Sequence, residues 1–504
     1  MNDPIVISGK RQLPLAEVKR RAARLGQGLR SLGIEHGDRY GFVMRNEIGF
    51  LEANLAAAAI GAVPVPVNWH WTGDDLAHLL SDSGMKLVIV HTDLLPAVEA
   101  RKPGHVAIVE AVPPEEITEA YSLGPMTATG RYLTLDSLIE ANDPPAPLTA
   151  PPPMAVIYTS GTTGLAKGIL RDRVKAEHAP ALMSLVSGGL ALEPGATTVL
   201  PAPMYHTAPN VAATFAAALG LSMVIMPRFD AEELLRLIER HRVSTVQVVP
   251  TMFTRMLRLP REVRDRYDLS SLKAVVHAAA PCPPDVKRAA IDWLGPIIRE
   301  YYGGSEGGIW VDCDTPEWLA HPGTVGRPVL DAAIRVLDPF LKEVPAGETG
   351  LIYGRSPSAW PAFTYLGNDA RRREIDAGDG FITVGDLGHV DADGYLYLSD
   401  RQHDMVISGG VNIYPAEIEA CLLNLPGVAD SAVFGIPDPD LGESLAAHVE
   451  PLPGATLTAG QVRDHVRRHL AAYKVPSVVA FEEKLPREDS GKLFKRRLKE
   501  RYWP

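Results

Sequence analysis

Cysteine is scarce in this chain: Cys282, Cys313 and Cys421 are all it has. Their number is odd and their spacing matches no metal-ligand pattern, which argues against a disulfide framework and for a reducing compartment. A positive charge excess is also missing. Lys and Arg number 50 against 61 Asp and Glu, a formal net charge of −11, so a broad electrostatic grip on nucleic acid or on an anionic membrane is not expected. Long hydrophobic runs are absent too. The longest, Val211 to Met226, carries Thr214 and Ser222 and lies between Pro209 and Pro227. A membrane-spanning helix needs about 20 apolar residues, so this run is read as a buried helix passing into a strand. Lys10 and Arg11 precede a charged helix rather than an apolar segment, so no signal peptide is expected. The expected setting is cytoplasmic, with no integral membrane segment; homo-oligomerisation is left open.

What is present is an ordinary folding composition, 46% hydrophobic and 22% charged over 504 residues. That length exceeds a single core and implies at least two domains. Leu15, Val18, Ala22, Leu25, Leu29 and Leu32 recur at three-and-four spacing and predict a helix closed by Gly33. Apolar runs at Tyr40–Met44, Val63–Val67 and Leu87–Val90 predict strands, with helical patterns between them. Such alternation predicts an α/β fold: a large N-terminal domain of helix-covered, mostly parallel sheets. After the proline-rich stretch Pro144–Pro153 the pattern resumes with a strand at Ala155–Tyr158. Near Asp400 the character changes. A helix at Ala416–Leu425, an apolar run at Ser431–Ile436, a helix near Gln461–Leu470 and a strand at Val478–Phe481 predict a small mobile α+β C-terminal domain. The expected boundaries are 1–399, a hinge at 400–403, and 404–504.

The strongest local signal is Tyr158-Thr-Ser-Gly-Thr-Thr-Gly-Leu-Ala-Lys-Gly168. Gly161, Gly164 and Gly168 allow the backbone to approach an anion and present N–H groups to it. Thr159, Ser160, Thr162 and Thr163 add hydroxyl donors, and Lys167 adds a positive charge. A Walker loop is excluded, because Gly168 rather than Ser or Thr follows the lysine. A plain surface turn would suffice for a shorter Gly-Ser-Thr string; eleven such residues at a strand end point to phosphate binding.

That string resembles the signature of the acyl- and aryl-adenylating superfamily, with Ala166 where proline is common. Further segments follow in the family's order. Tyr302-Gly-Gly-Ser-Glu306 resembles its Tyr-Gly-x-Thr-Glu, with Ser305 keeping the hydroxyl. The resemblance implies that Tyr302, Gly303, Ser305 and Ala279 contact the nucleotide and that Glu306, with Thr159, holds Mg²⁺, a hard cation that prefers oxygen ligands. Gly385-Asp386 follows Val384 where threonine is usual; Asp386 and Arg401 would contact the ribose. His206, Ala280 and Tyr301 fall in segments that line the acyl pocket, and His206 is expected to position substrate rather than act as a base. Lys492 in Pro486-Arg-Glu-Asp-Ser-Gly-Lys matches the catalytic lysine, in a tail otherwise rich in solvated basic residues. His403 stands at the hinge position, where Asp or Lys is commoner, and Gly409, Gly410 and Lys474 fall where coenzyme A is expected.

The implied activity uses ATP and Mg²⁺ to convert a carboxylic acid to an acyl-adenylate, then transfers the acyl group to coenzyme A. Loading of a carrier protein is the first alternative. A catalytically silent homologue ranks lower, since Lys492, Glu306 and Lys167 are all present, and luciferase-like oxidation has no positive sign. The expected pocket segments (204–213, 250–257, 277–281 and 301–310) mix aromatics with alanines, with Arg255 the one fixed charge considered. They suggest an apolar acid: aryl, medium-chain or polycyclic.

Overall fold

The structure is a computed structural model that describes residues 3–148, 151–159, 166–401, 404–408, 411–487 and 493–503. The expected sites at Ser160, Gly161, Thr162, Thr163, Gly164, His403, Gly409, Gly410 and Lys492 lie outside the described residues. So does the side chain of Arg401.

The first helix, Leu15–Ser31, buries Leu15, Val18, Ala22, Leu25 and Leu29 along one face. This is the stripe its spacing predicts. It packs on the helix Ile48–Ile60, which is buried on nearly all sides and so has no amphipathic pattern. The predicted strands form at Arg39–Val43, Val63–Pro66 and Leu87–His91, and with Ala107–Ala111 they make a four-stranded, wholly parallel sheet. The run Val211–Met226 divides as expected into the helix Thr207–Leu219 and the strand Ser222–Ile225. Among the described residues, no helix is long and apolar enough to cross a membrane.

A second, larger sheet changes character along its length. From Ile5–Ser8 through Ser222–Ile225, Thr197–Leu200, Thr245–Val248 and Ala274–His277 to Ile298–Gly304 the pairing is parallel. Beyond Gly304 it is antiparallel, through Gly308–Cys313, Thr324–Pro328, Leu396–Arg401, Phe381–Val390, Gly350–Arg355 and Ala333–Leu337. The sequence pattern gave no sign of this antiparallel half. Several of its strands are linked by turns or by the six-residue helix Thr315–Ala320, too short for the crossover that parallel neighbours need. A third, three-stranded sheet joins Phe363–Tyr365 to Lys167–Arg171 and Ile157–Thr159.

The C-terminal elements form a separate five-stranded sheet. Its centre is the long pair Val428–Asp438 and Gly442–Pro451, with Val478–Phe481 added in parallel. The helices Pro415–Leu423 and Ala459–His469 cover it, and Val406, Ile418, Leu422, Val433, Val449, Val462 and Val466 fill the layer between. Polar contacts with the larger part are made through the side chains at positions 258 and 424. Arg258 donates to the carbonyls of Val428 (3.3 Å) and Ala429 (2.5 Å), and Asn424 Nδ2 donates to Asp285 (3.0 Å). A cavity of about 430 Å³ remains between these surfaces.

Candidate active site

Three structural pieces converge. The first is the hairpin Ile157–Thr159/Lys167–Arg171, in which Thr159 lies opposite Lys167. It is braced from below, where the Tyr158 hydroxyl donates to Asp82 at 2.6 Å. Lys167 is half-buried and has no ion pair among the described residues. Burial lowers its pKa first, the nearby Arg371 lowers it further, and Glu306 opposes both. A cation placed beside another cation, without its own carboxylate, suits a phosphate ligand.

The second piece is the hairpin Ile298–Gly304/Gly308–Cys313, which carries Tyr302, Gly303, Ser305 and Glu306. The register slips at Tyr302/Gly303, and there only glycine fits: a Cβ on Gly303 would lie 1.9 Å from the Gly308 carbonyl oxygen. Tyr365, on the third sheet, donates its hydroxyl to Glu306 Oε1 at 2.9 Å, while Lys167 Nζ lies 5.7 Å from the Tyr365 ring centre. The Tyr365 phenol is held far above its ordinary range by burial and by the Glu306 charge, so it stays a donor. One Glu306 oxygen is thus fixed, and the carboxylate and the Thr159 hydroxyl offer the oxygen donors a magnesium ion requires. Sequence reasoning missed Tyr365 and Arg371. Neither sits in a recognisable motif, and only strand pairing brings Tyr365 beside Ile169.

The third piece is the strand pair Phe381–Val390/Leu396–Arg401, in which Asp386 lies opposite Arg401. Gly385 has φ +84°, a turn of the backbone that precedes Asp386. Asp386 accepts a 2.9 Å hydrogen bond from the Tyr302 hydroxyl, so the two nucleotide motifs form one wall. Ala279 and Ala280 are exposed just beyond the strand Ala274–His277, and Ala279 holds φ +73° without being glycine. Backbone in this region costs about 1 kcal/mol or more for a non-glycine residue. His206 is half-buried at the N-cap of the helix Thr207–Leu219, its ring 4.5 Å from that of Tyr205. Tyr301 accepts from Gln247 Nε2 at 2.7 Å.

Ion pairs and a backbone hydrogen bond hold the described residues on either side of 488–492. Arg487 pairs with Asp430 (2.8 Å), Lys495 pairs with Glu419 (2.8 Å), and the Phe494 amide donates to the Pro486 carbonyl. Lys474 is held by Glu417 in this arrangement. Asp400 accepts from the Ala416 amide at 3.0 Å, tying the end of the last large-sheet strand to the first C-terminal helix. Away from the site, Cys421, His465 and His469 come together across the two C-terminal helices, a cluster their sequence spacing does not suggest.

An apolar cavity lies away from three of the four expected pocket segments. About 190 Å³ in volume, it lies among residues 54–58, 151–155, 174–183 and 207–218. Of the four expected segments only 204–213 contributes, through Thr207, Asn210 and Val211. Thr254 and Leu257 face the interdomain cavity instead, and Arg255 lies over the Phe229 ring. The charge on the apolar cavity's wall is Arg171. The cavity abuts the glutamate hairpin, since Thr207 Oγ1 donates to Ser305 Oγ at 2.6 Å.

Comparison with known proteins agrees with this arrangement. Residues 1–363 match the model of the AMP-binding enzyme family, and residues 417–492 match that of the AMP-binding enzyme C-terminal domain. A feruloyl-CoA synthase from an Amycolatopsis species is 34% identical over 501 residues, covering 98% of this chain and 95% of that protein. The fatty acid–acyl-carrier-protein ligase ScoC of Streptomyces coeruleorubidus is 31% identical, covering 99% and 93%. The structure of ATP-bound MatB from Rhodopseudomonas palustris superposes with a TM-score of 0.83 at 28% identity, over 100% of this chain and 97% of that one. The chain therefore belongs to the AMP-binding enzyme family.

Proposed function

We propose that this protein is an AMP-forming acid–CoA ligase that acts on an apolar carboxylic acid. The observation that carries the reading is Lys167: a half-buried cation without a carboxylate partner among the described residues, facing the Tyr365–Glu306 pair. Two anions, ATP and a carboxylate, must be brought together, and such reactions are catalysed chiefly by positioning and charge neutralisation. Lys167 and the 159–164 loop hold the β- and γ-phosphates. Glu306 and Thr159 would hold Mg²⁺, which when bound would supply charge neutralisation at the phosphates. Tyr302, Gly303, Ser305 and Ala279 seat the base, and Asp386 and Arg401 take the ribose hydroxyls. His206, Ala280 and Tyr301 orient the acid.

A carboxylate oxygen then attacks the α-phosphorus, and the bond to pyrophosphate breaks. Lys492 places its cation between the two reactants, where charge builds in the transition state. In the second step the coenzyme A thiol, as thiolate, attacks the acyl carbon and AMP departs. The hinge at His403 turns the C-terminal domain between steps, bringing Gly409 and Gly410 to the thiol path. Lys474 exchanges Glu417 for a coenzyme A phosphate.

A panel of carboxylic acids assayed for pyrophosphate release, AMP and CoA thioester tests this. Equal amounts of all three products are expected with an apolar acid. Similarity to an acyl-carrier-protein ligase supports a second reading, in which a carrier phosphopantetheine replaces coenzyme A. Thioester formed only on a carrier would establish that reading and end the first.

A further inference from the structure

Arg171 occupies an unusual position. Its residue is 7% exposed and lines the apolar cavity. A guanidinium has five N–H donors. Here one nitrogen donates to the Ala155 carbonyl at a long 3.3 Å and another to the Ser305 carbonyl, while Nε is buried with no acceptor. No carboxylate lies within ion-pair distance among the described residues; Glu306 attracts the charge from farther off, and the Trp360 ring lies 5.5 Å away. The remaining polar groups of the wall satisfy one another. Asn54 donates to Thr214 (3.0 Å), Asn210 to Asn54 (3.2 Å) and Thr214 to the Asn210 carbonyl (2.8 Å). With Glu306 beyond ion-pair distance, the arginine keeps unused N–H donors at the cavity wall and a charge only partly offset. Burial of such a cation is costly and drives its pKa down to about 10.

The strand geometry supplies a ruler. Lys167 and Arg171 lie on one strand four residues apart, hence on the same face and about 13 Å from each other at ~3.3 Å per residue. One cation thus marks the phosphate end and the other the wall of the acyl cavity.

We infer that Arg171 recognises a second acceptor on the acyl substrate: the preferred acid carries, besides its reacting carboxylate, a further carboxylate or ketone oxygen on an otherwise apolar body. This rests on the ligase reading above and narrows its substrate class. A guanidinium is suited to such a partner because its paired N–H groups match a carboxylate's two oxygens.

The test is a pyrophosphate-release assay on matched pairs of acids of equal size, one with a second carboxylate or ketone on its body and one with methyl or methylene there. Wild-type protein should favour the acceptor-bearing acid by about 10- to 100-fold in kcat/KM, the range expected for a hydrogen bond to a charged group. Arg171→Met should collapse that ratio towards one, chiefly through KM for the acceptor-bearing acid, and Arg171→Lys should restore part of it. Two results overturn the inference: wild-type protein that turns over both acids equally, or an Arg171→Met variant that loses both to the same degree, which would assign the arginine to holding the Ser305 segment. If Arg171→Met does not fold, the wild-type ratio alone decides. Failure of the ligase reading looks different, because no acid then releases pyrophosphate.

Discussion

Removing the Tyr365 hydroxyl, as Tyr365→Phe, isolates one hydrogen bond at the proposed magnesium site. The ring is 4% exposed and packs with Ile169, Trp310 and Ile352, contacts that phenylalanine keeps. What disappears is the 2.9 Å donation to Glu306 Oε1. A hydrogen bond to a charged acceptor contributes about 1.5–3 kcal/mol, which corresponds to roughly 10- to 150-fold in an equilibrium constant. Glu306 is only half-buried, so solvent can replace part of the loss and the lower end, about 10-fold, is expected. The loss should appear in the magnesium concentration that half-saturates pyrophosphate release, because a freed carboxylate must be ordered again before it can bind the ion. Thermal stability should change little. Titrating Mg²⁺ at fixed ATP and acid in both proteins gives the answer. A half-saturating concentration that does not move in Tyr365→Phe would refute the claim that this hydroxyl orders Glu306 for metal.

Other outcomes follow from buried charges and from the nucleotide wall. Lys287 Nζ lies 2.5 Å from Glu300 with both side chains buried, so Lys287→Met should cost about 3–5 kcal/mol by stranding the carboxylate. Adding Glu300→Gln should recover part of this in chemical denaturation. His277 is wholly buried and its pKa is lowered well below the ordinary value by burial first and by Lys287 second; His448 is lowered mainly by burial. At these two sites the unfolded chain binds more protons than the folded one below pH ~6.5, so their contribution to stability falls on acidification, against the opposite contribution of Glu52, which burial raises to about 7. Melting temperatures of His277→Phe that fall from pH 7.5 to about 5.5 as steeply as those of the wild type would contradict the sign at that site. Asp386→Ala removes the acceptor of the Tyr302 hydroxyl as well as the proposed ribose contact, and should raise KM for ATP by about 10-fold or more; a normal KM would remove Asp386 from the nucleotide site.

Much of the fold was legible because periodicity reports burial. The helix Leu15–Ser31, the four-stranded parallel sheet and the strand Val478–Phe481 appear where their patterns place them. The antiparallel half was not legible. The strand Gly308–Cys313 pairs antiparallel on both sides, one neighbour reached through a turn and the other past the short helix Thr315–Ala320, and an apolar strand carries no mark of its partner's direction. The same limit explains the site. Motifs expose residues that contact a common ligand, as in the strings ending at Gly168 and Glu306. Tyr365 and Arg171 owe their positions to strand pairing between segments some 200 residues apart in the chain, and Arg371 sits on the short helix that follows Tyr365. The apolar cavity was not anticipated for a related reason. Which face of the helix Thr207–Leu219 turns to the cavity depends on its packing against Ile48–Ile60, and alanines on every side leave the sequence without a preferred face.

The central claim is that Lys492, delivered by the C-terminal domain, neutralises the meeting of carboxylate and ATP and is dispensed with afterwards. Both half-reactions measured separately in Lys492→Ala test it most directly: pyrophosphate release from ATP and acid, and CoA thioester formation from preformed acyl-adenylate. The account predicts a loss of about 100- to 1000-fold in the first step, the scale of removing one transition-state donor, with the loss concentrated there. Equal losses in both steps, or full adenylation without the amine, would contradict it.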